Sequence, residues 1–280
     1  MNSLEMNNIE EIKTLNPYQQ EAVLDESPEC LVNANVGSGK TTVLIEKVRH
    51  LHEKKQVSYE KMAVLTFTNK AASEIRQRLT QAVGPEAESI WAFTFHSCCT
   101  RILRRYGERL GYSNHFTIYD TDDSRRVMKH CQKQLGIEER LLGHKAILAE
   151  ISRAKDSLVP VEDFKTAAAT DFRLSKIAAC YELYQKELLK SDAMDFDDII
   201  FNTVRLLQEN DDVRELYQKQ FHYVMVDEYQ DTNHAQYVLT SLLAGGYNNI
   251  CVVGDDDQSI YRFRGATIEN ILSFERQYDN

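Results

Sequence analysis

The amino-acid sequence predicts a doubly wound α/β fold, in which helices flank a parallel β-sheet. Five short runs of apolar, β-branched or aromatic residues each end in polar or Gly-containing residues, as buried parallel strands do. These runs cover 29–34, 61–67, 89–95, 222–227 and 249–254. Helical patterns at about 40–53 and 70–82 separate the first three runs. This alternation of strand and helix is typical of a parallel sheet covered on both faces.

The gap between the third and fourth runs is too long for a single crossover helix. A crossover needs about a dozen residues, whereas this gap holds more than a hundred, and its pattern is helical. We therefore predict an all-helical subdomain over 108–192. It would be inserted into a sheet domain formed by 1–107 and 193–280.

The turn after the first strand has the sequence of a phosphate-binding loop. Residues 34–41 read Ala-Asn-Val-Gly-Ser-Gly-Lys-Thr and lie between a strand and a helix, as such a loop requires. Small residues let backbone N–H groups turn inward around a polyphosphate, and the helix N-terminus adds partial positive charge. Lys40 is expected to reach the β- and γ-phosphates, and the Thr41 hydroxyl to ligate Mg²⁺. A chance match is the alternative, because Ala34 replaces the first Gly of the pattern. The other residues here that are expected to bind the nucleotide are Ala34, Gly37, Ser38, Gly39 and Thr42.

The fourth run ends in two carboxylates. Asp227 is predicted to hold Mg²⁺, directly or through water, and Glu228 to orient or deprotonate the attacking water. The alternative is an acidic strand end at the surface. The apolar character of 222–227 and the separate loop at 34–41 both disfavour that alternative.

The fifth run leads into a segment that combines an amide, aromatic rings and guanidinium groups. Gln258 follows the strand closely enough to sense a γ-phosphate by hydrogen bonding. Tyr261 and Phe263 alternate with Arg262 and Arg264, an order that suits stacking on bases and gripping a nucleic-acid strand. An ordinary packing corner is the alternative.

Composition favours a cytosolic protein without a membrane anchor. The 280 residues contain no run of 18 apolar residues, and the N-terminus lacks the basic-then-apolar form of a signal peptide. Six Cys without C-x-x-C or zinc spacing predict reduced, mostly buried thiols. The net charge of −10 argues against a uniformly basic surface. Arg101, Arg104, Arg105 and Arg109 recur at helical spacing, which predicts either a local basic face or an ordinary solvated helix surface.

Taken in order, these motifs resemble those of superfamily 1 DNA helicases of the UvrD/Rep/PcrA group, from about Leu15 to the last residue. The loop at 34–41, the Asp-Glu-x-Gln-Asp segment at 227–231 and the segment 254–265 all match. Four further matches are Leu-Asn-Pro-Tyr-Gln-Gln at 15–20, Thr-Phe-Thr-Asn-Lys at 66–70, Thr-Phe-His-Ser at 94–97 and Asp-Phe-Asp-Asp at 195–198.

The resemblance implies a RecA-like P-loop NTPase domain that uses ATP and Mg²⁺, and a DNA helicase or translocase that moves 3′ to 5′ on single-stranded DNA and duplex junctions. It implies that Gln19 reads the adenine edge. It also implies a second RecA-like domain supplying arginine fingers, so we expect this chain to be the N-terminal half of a longer polypeptide. The residues that the resemblance places on the DNA side are Phe67, Asn69, His96, Tyr261, Phe263 and Arg264.

Four positions depart from the group's pattern. Thr42 stands where many members have an Arg packed on the adenine, so the adenine contact is expected to differ. Asn35 and Val36 replace smaller loop residues, and Phe263 replaces a common Trp while keeping an aromatic ring. A second class of function stays open, a nucleotide-dependent module that binds DNA or a protein partner without unwinding. A kinase or transferase is a third, although the sequence shows no acceptor-site feature.

Overall fold

The computed structural model describes residues 15–27, 29–33 and 39–255. The chain separates into two compact units. The first comprises the described residues up to Phe95, Glu215–Thr232 and the described residues from Thr240 onward. The second comprises His96–Arg214 and Asn233–Leu239. Within the described ranges, no helix combines the length and the apolarity needed to cross a bilayer.

Strands and helices alternate as the sequence predicts. The strands are β1 (Glu29–Asn33), β2 (Met62–Thr66), β3 (Trp91–Thr94), β4 (Thr117–Ile118), β5 (Ala193–Met194), β6 (Tyr223–Val226) and β7 (Ile250–Gly254). The helices are α1 (Pro17–Leu24), α2 (Lys40–Lys55), α3 (Asn69–Val83), α4 (Phe95–Tyr106), α5 (Thr121–Gln134), α6 (His144–Asp156), α7 (Val161–Ala168), α8 (Phe172–Lys190), α9 (Phe196–Glu209), α10 (Asp211–Gln220) and α11 (His234–Ala244).

The first unit is built on a five-stranded sheet in the order β1-β7-β6-β2-β3, and every pair of neighbours is parallel. The predicted α/β fold with a parallel sheet is therefore confirmed, and each predicted strand lies within two residues of its observed limits. Strands β2 and β7 are buried along their whole length, which explains why their sequences are continuous apolar runs. Because parallel strands share one direction, their carboxyl ends meet at one edge of the sheet.

Helices α2 and α3 supply the apolar side chains that pack with the strands in the core of the first unit. On α3, Ala72, Ile75 and Leu79 recur at helical spacing and are all buried. The helix begins where the Thr68 side chain accepts a hydrogen bond from the Ala71 N–H, at 3.1 Å. The predicted helices at 40–53 and 70–82 are both confirmed.

The second unit is mostly helical, but it also contains a two-stranded parallel sheet of β4 and β5. The N–H of Thr117 donates to the carbonyl of Asp192 at 2.9 Å, and the N–H of Tyr119 donates to the carbonyl of Met194 at 2.8 Å. These bonds join the two ends of the predicted insertion. The expectation of an all-helical subdomain is therefore wrong in this detail, because the returning chain pairs in extended form before α9 begins.

A buried ion cluster holds α6 against the start of α9. The Lys155 ammonium, only 1% exposed, lies 2.8 Å from an Asp195 oxygen and 2.9 Å from an Asp198 oxygen. The Tyr184 hydroxyl donates to Asp195 at 2.9 Å. Asp195 and Asp198 also form the capping box of α9. The Asp-Phe-Asp-Asp segment thus has a structural role within the second unit.

The second unit is wider than the predicted limits of 108–192. The guanidinium of Arg104 on α4 lies 3.9 Å from the centroid of the Phe116 ring, and Arg109 pairs with Asp212 at 2.9 Å. The helices that flank the insertion therefore pack with it. Arg101, Arg105 and Arg109 are exposed, as the alternative of a solvated helix surface expects, whereas Arg104 is partly buried against Phe116.

Candidate functional site

Three predicted functional residues come together in the first unit, beyond the ends of β1 and β6. Lys40 is the first residue of α2 and only 8% exposed. Asp227 and Glu228 directly follow β6. The Lys40 ammonium lies 3.4 Å from a carboxylate oxygen of Glu228. Residues far apart in the chain therefore form one charged cluster at the carboxyl edge of the sheet.

The N-terminus of α2 is arranged to leave its backbone N–H groups available for a ligand. Its N-cap is Gly39, which has no side chain to cap the helix and adopts a left-handed backbone, with φ of 80°. Any other residue would strain this backbone, and its Cβ atom would lie 2.7 Å from the Gln19 amide nitrogen and displace that side chain. Thr41 and Thr42 occupy the first turn, where N–H groups lack intrahelical acceptors and attract anions.

Gln19 lies beside a cavity that reaches Lys40. The cavity has a volume of about 900 Å³, within the usual range of small-molecule sites. The Gln19 side chain accepts a hydrogen bond from the N–H of Asn16 at 3.0 Å, which fixes it at the start of α1. Residues lining the cavity include Tyr18, Gln19, Cys30, Asn33, Lys40 and Val43. That Gln19 reads an adenine stays a prediction.

Asp227 is a carboxyl group in a poor environment for negative charge. It is 5% exposed, and burial, followed by the neighbouring Glu228 charge, raises its pKa to about 6. One Asp227 oxygen accepts the Glu228 N–H at 3.0 Å. Glu228 itself has a left-handed backbone, with φ of 53°. Such a conformation is strained for a non-glycine residue and is often found at functional sites.

Gln230 connects Glu228 to the end of β7, a role that the sequence analysis did not assign. Its amide nitrogen donates to the Glu228 carboxylate, and its amide oxygen accepts the N–H of Asp255 at 3.0 Å. A Cβ atom at Gly254 would lie 2.7 Å from that amide oxygen, so a larger residue there would displace the Gln230 side chain. The only sequence feature that could have indicated this role is the Gln of the Asp-Glu-x-Gln-Asp segment at 227–231.

The predicted DNA-side residues that the structure describes are divided between the units. In the first unit, Phe67 follows β2 with its ring centroid 5.3 Å from that of Phe95, and Asn69 is exposed at the start of α3. In the second unit, the His96 ring nitrogen Nε2 lies 3.1 Å from the carbonyl oxygen of Phe196. Phe196, which the sequence analysis did not single out, is 53% exposed, and its ring contacts that of His96.

Several predicted site residues lie outside the described residues. They are Ala34, Gly37 and Ser38 of the loop, and Gln258, Tyr261, Phe263 and Arg264 after β7. Within the described ranges, no group of three or more His, Cys, Asp or Glu side chains is arranged to hold a metal ion.

Comparison with known proteins places these features in a family context. The model of the UvrD/REP helicase N-terminal domain matches residues 15–279. A protein named ATP-dependent DNA helicase PcrA from Bacillus subtilis strain 168 is 46% identical over 266 residues, which cover 95% of this chain and 36% of that protein. The proteins of the same name from Staphylococcus epidermidis strain RP62A and Staphylococcus aureus strain Mu50 are each 45% identical, covering 95% and 94% of this chain. The chain thus spans about a third of the length of these relatives, 36% in each case.

Proposed function

We propose, on the basis that the chain belongs to the UvrD/REP helicase N-terminal domain family, that it is the ATP-binding half of an ATP-dependent DNA helicase or translocase. The observation that carries the proposal is the cluster of Lys40, Asp227 and Glu228 beside the cavity that Gln19 lines. The parallel sheet is that of a RecA-like domain, and its carboxyl edge is where such sheets bind ligands. Six free, buried cysteines support the expected cytosolic location.

Lys40 would change partners when the nucleotide arrives. Its ammonium pairs with Glu228 at 3.4 Å, and β- and γ-phosphates would compete for the same charge. Transfer of Lys40 to the phosphates would release the Glu228 carboxylate. Gln230 would keep that carboxylate oriented, so that Glu228 can position or deprotonate the attacking water.

The residues present fit a Mg²⁺ ion that accompanies the nucleotide. Mg²⁺ prefers oxygen ligands and is usually bound by one or two carboxylates together with substrate phosphates. Asp227 and the Thr41 hydroxyl would supply such oxygens. Burial raises the pKa of Asp227 to about 6, and a nearby cation would favour its ionised form. When bound, the ion would neutralise charge that develops on the phosphates.

On the DNA side, Phe67 and Asn69 are the residues of the first unit that would contact single-stranded DNA. His96 and Phe196 are the corresponding candidates within the second unit. Phe67 and Phe196 offer partly exposed rings for base stacking, and Asn69 and His96 offer polar groups. The proposal also includes movement from 3′ to 5′, action at duplex junctions and a second motor domain in the same polypeptide. The greater length of the relatives supports the second motor domain.

The test is the ATPase activity of the complete gene product with and without single-stranded DNA. Stimulation by DNA, lost in Lys40→Ala, is the expected result. Turnover that DNA leaves unchanged, together with ATP-dependent DNA binding, would instead support a binding module without motor activity. A complete gene product that shows neither DNA-stimulated turnover nor ATP-dependent DNA binding would contradict the proposal.

A further inference from the structure

Two cysteines that the proposed mechanism does not use lie side by side in the sheet. Cys30 on β1 and Cys251 on β7 are direct partners in the register of two parallel neighbours. They are 5% and 4% exposed, and their thiols are hydrogen-bonded to each other. Cys30 also lines the cavity of about 900 Å³ that reaches Lys40. Through Cys30, the pair therefore borders the cavity of the proposed nucleotide site.

The register of the two strands allows a bond between the sulfur atoms. Neighbouring strands lie about 4.7–4.9 Å apart, and disulfides join residues whose Cα atoms are about 4.4–6.8 Å apart. We propose that Cys30 and Cys251 form an oxidation site, at which a hydroperoxide that enters through the cavity converts the two thiols to a disulfide between β1 and β7. A bound nucleotide would block this reaction by covering Cys30.

The surroundings favour a thiolate at one member of the pair. The hydrogen bond from Cys30 lowers the pKa of Cys251, although burial acts to raise it. The positive charge of Lys47 also lowers this pKa. Lys47 is held in place by the carbonyl groups of Ala22 and Asp25, to which its ammonium donates. The thiolate is the reactive form of cysteine, and we assign that form to Cys251, the direct neighbour of the cavity-lining Cys30.

The reaction balances with hydrogen peroxide as the oxidant. The Cys251 thiolate attacks one peroxide oxygen, the O–O bond breaks, and a sulfenic acid and hydroxide form. The hydroxide takes the Cys30 proton and becomes water. The Cys30 sulfur then attacks the sulfenic sulfur, so that the S–S bond forms, the S–O bond breaks and a second hydroxide leaves. Two sulfur atoms are oxidised, and one peroxide is reduced.

The chain contains a matched control pair in the core of the second unit. Cys131 on α5 and Cys180 on α8 belong to one apolar cluster and are both fully buried. Burial raises the pKa of Cys131 to about 12 and that of Cys180 to about 11. We expect these two thiols to stay reduced under conditions that oxidise Cys30 and Cys251.

The experiment treats the reduced chain with hydrogen peroxide, alkylates the free thiols after denaturation and maps the peptides without reduction. The expected product joins the Cys30 and Cys251 peptides, is absent from Cys251→Ser and leaves Cys131 and Cys180 alkylated. The proposal is overturned if Cys30 and Cys251 remain alkylated, or if Cys131 and Cys180 are oxidised at the same rate.

The protection by nucleotide rests on the proposed function and is measured separately. Mg-ATP at 100 times its Kd leaves about 1% of the protein free and should slow formation of the link about 100-fold. A link that forms at an unchanged rate under proven ATP occupancy would support the oxidation site, but it would show that the nucleotide does not cover Cys30. Failure of the link without nucleotide would count against the oxidation site alone.

Discussion

Replacing Asp227 by Asn should stabilise the folded protein while impairing nucleotide hydrolysis. Asp227 is buried beside Glu228, and burial raises its pKa from 3.8 to about 6. Asn has the same shape, keeps an oxygen that can accept the Glu228 N–H and carries no charge. The substitution therefore removes the unfavourable charge without leaving a cavity.

The size of the effect follows from the pKa difference. Between pH 3.8 and about pH 6, the folded chain retains a proton on Asp227 that the unfolded chain has released. The stability of the wild type therefore falls as the pH rises through that window. Above the window, the loss reaches about 3 kcal/mol. The amide introduced by Asp227→Asn does not titrate, and the advantage of the variant should therefore be about 1 kcal/mol at about pH 4.5 and about 3 kcal/mol at about pH 7.5.

Urea unfolding followed by tryptophan fluorescence measures this difference. Trp91 is the only tryptophan of the chain. It lies in β3, with its ring centroid 5.1 Å from that of Phe221. Because Asp227, Trp91 and Phe221 belong to the same unit, the signal reports unfolding of the part that contains the substitution. ATPase of the complete gene product with the same substitution gives the functional comparison.

Glu88→Gln is the matched control, because it removes one negative charge from an exposed position in the same unit. Its stability should stay within about 0.5 kcal/mol of the wild type at both pH values. A raised pKa of Asp227 is refuted if Asp227→Asn is no more stable than the wild type near neutral pH. It is also refuted if the difference in free energy of unfolding between them does not grow with pH.

Three further predictions concern DNA, the loop and the isolated chain. Phe67→Ala in the complete gene product should weaken single-stranded DNA binding by about 1–3 kcal/mol, and unchanged fluorescence anisotropy would place the DNA elsewhere. Gly39→Ala puts a Cβ atom 2.7 Å from the Gln19 amide and should strain the backbone by about 1–2 kcal/mol. Calorimetry of this variant should show weaker Mg-ATP binding, and an affinity equal to that of the wild type would contradict the proposed loop geometry. The 280-residue chain alone should bind Mg-ATP but hydrolyse it near background, because an arginine finger from a second domain contributes about 10³–10⁵ in rate; rapid DNA-stimulated turnover would contradict this.

Much of the sheet and part of the site could be predicted because the signals are local. The apolar runs that became β2 and β7 are buried throughout, and such runs are characteristic of covered parallel strands. The meeting of Lys40 with Glu228 follows from a general rule, that carboxyl ends of parallel strands share an edge. The strand, Gly-rich turn and helix around Lys40 needed no long-range information.

The features that escaped prediction depend on long-range contacts or oppose local propensity. The position of β7 between β1 and β6 is not encoded in any single segment. Strands β4 and β5 are two residues long and too short to show a period. The left-handed backbone of Glu228 opposes the preference of a non-glycine residue. The limits of the second unit depend on contacts such as that of Arg104 with Phe116.

Calorimetric titration of the chain with Mg-ATP tests the central claim most directly, using the wild type, Lys40→Ala and Lys54→Ala. Lys54 is an exposed lysine on the same helix and serves as the control. A hydrogen bond to a charged group is worth about 1.5–3 kcal/mol, so Lys40→Ala should raise the Kd about 10- to 100-fold, while Lys54→Ala should bind as the wild type does. Equal affinity of the wild type and Lys40→Ala would contradict a nucleotide site at this edge of the sheet.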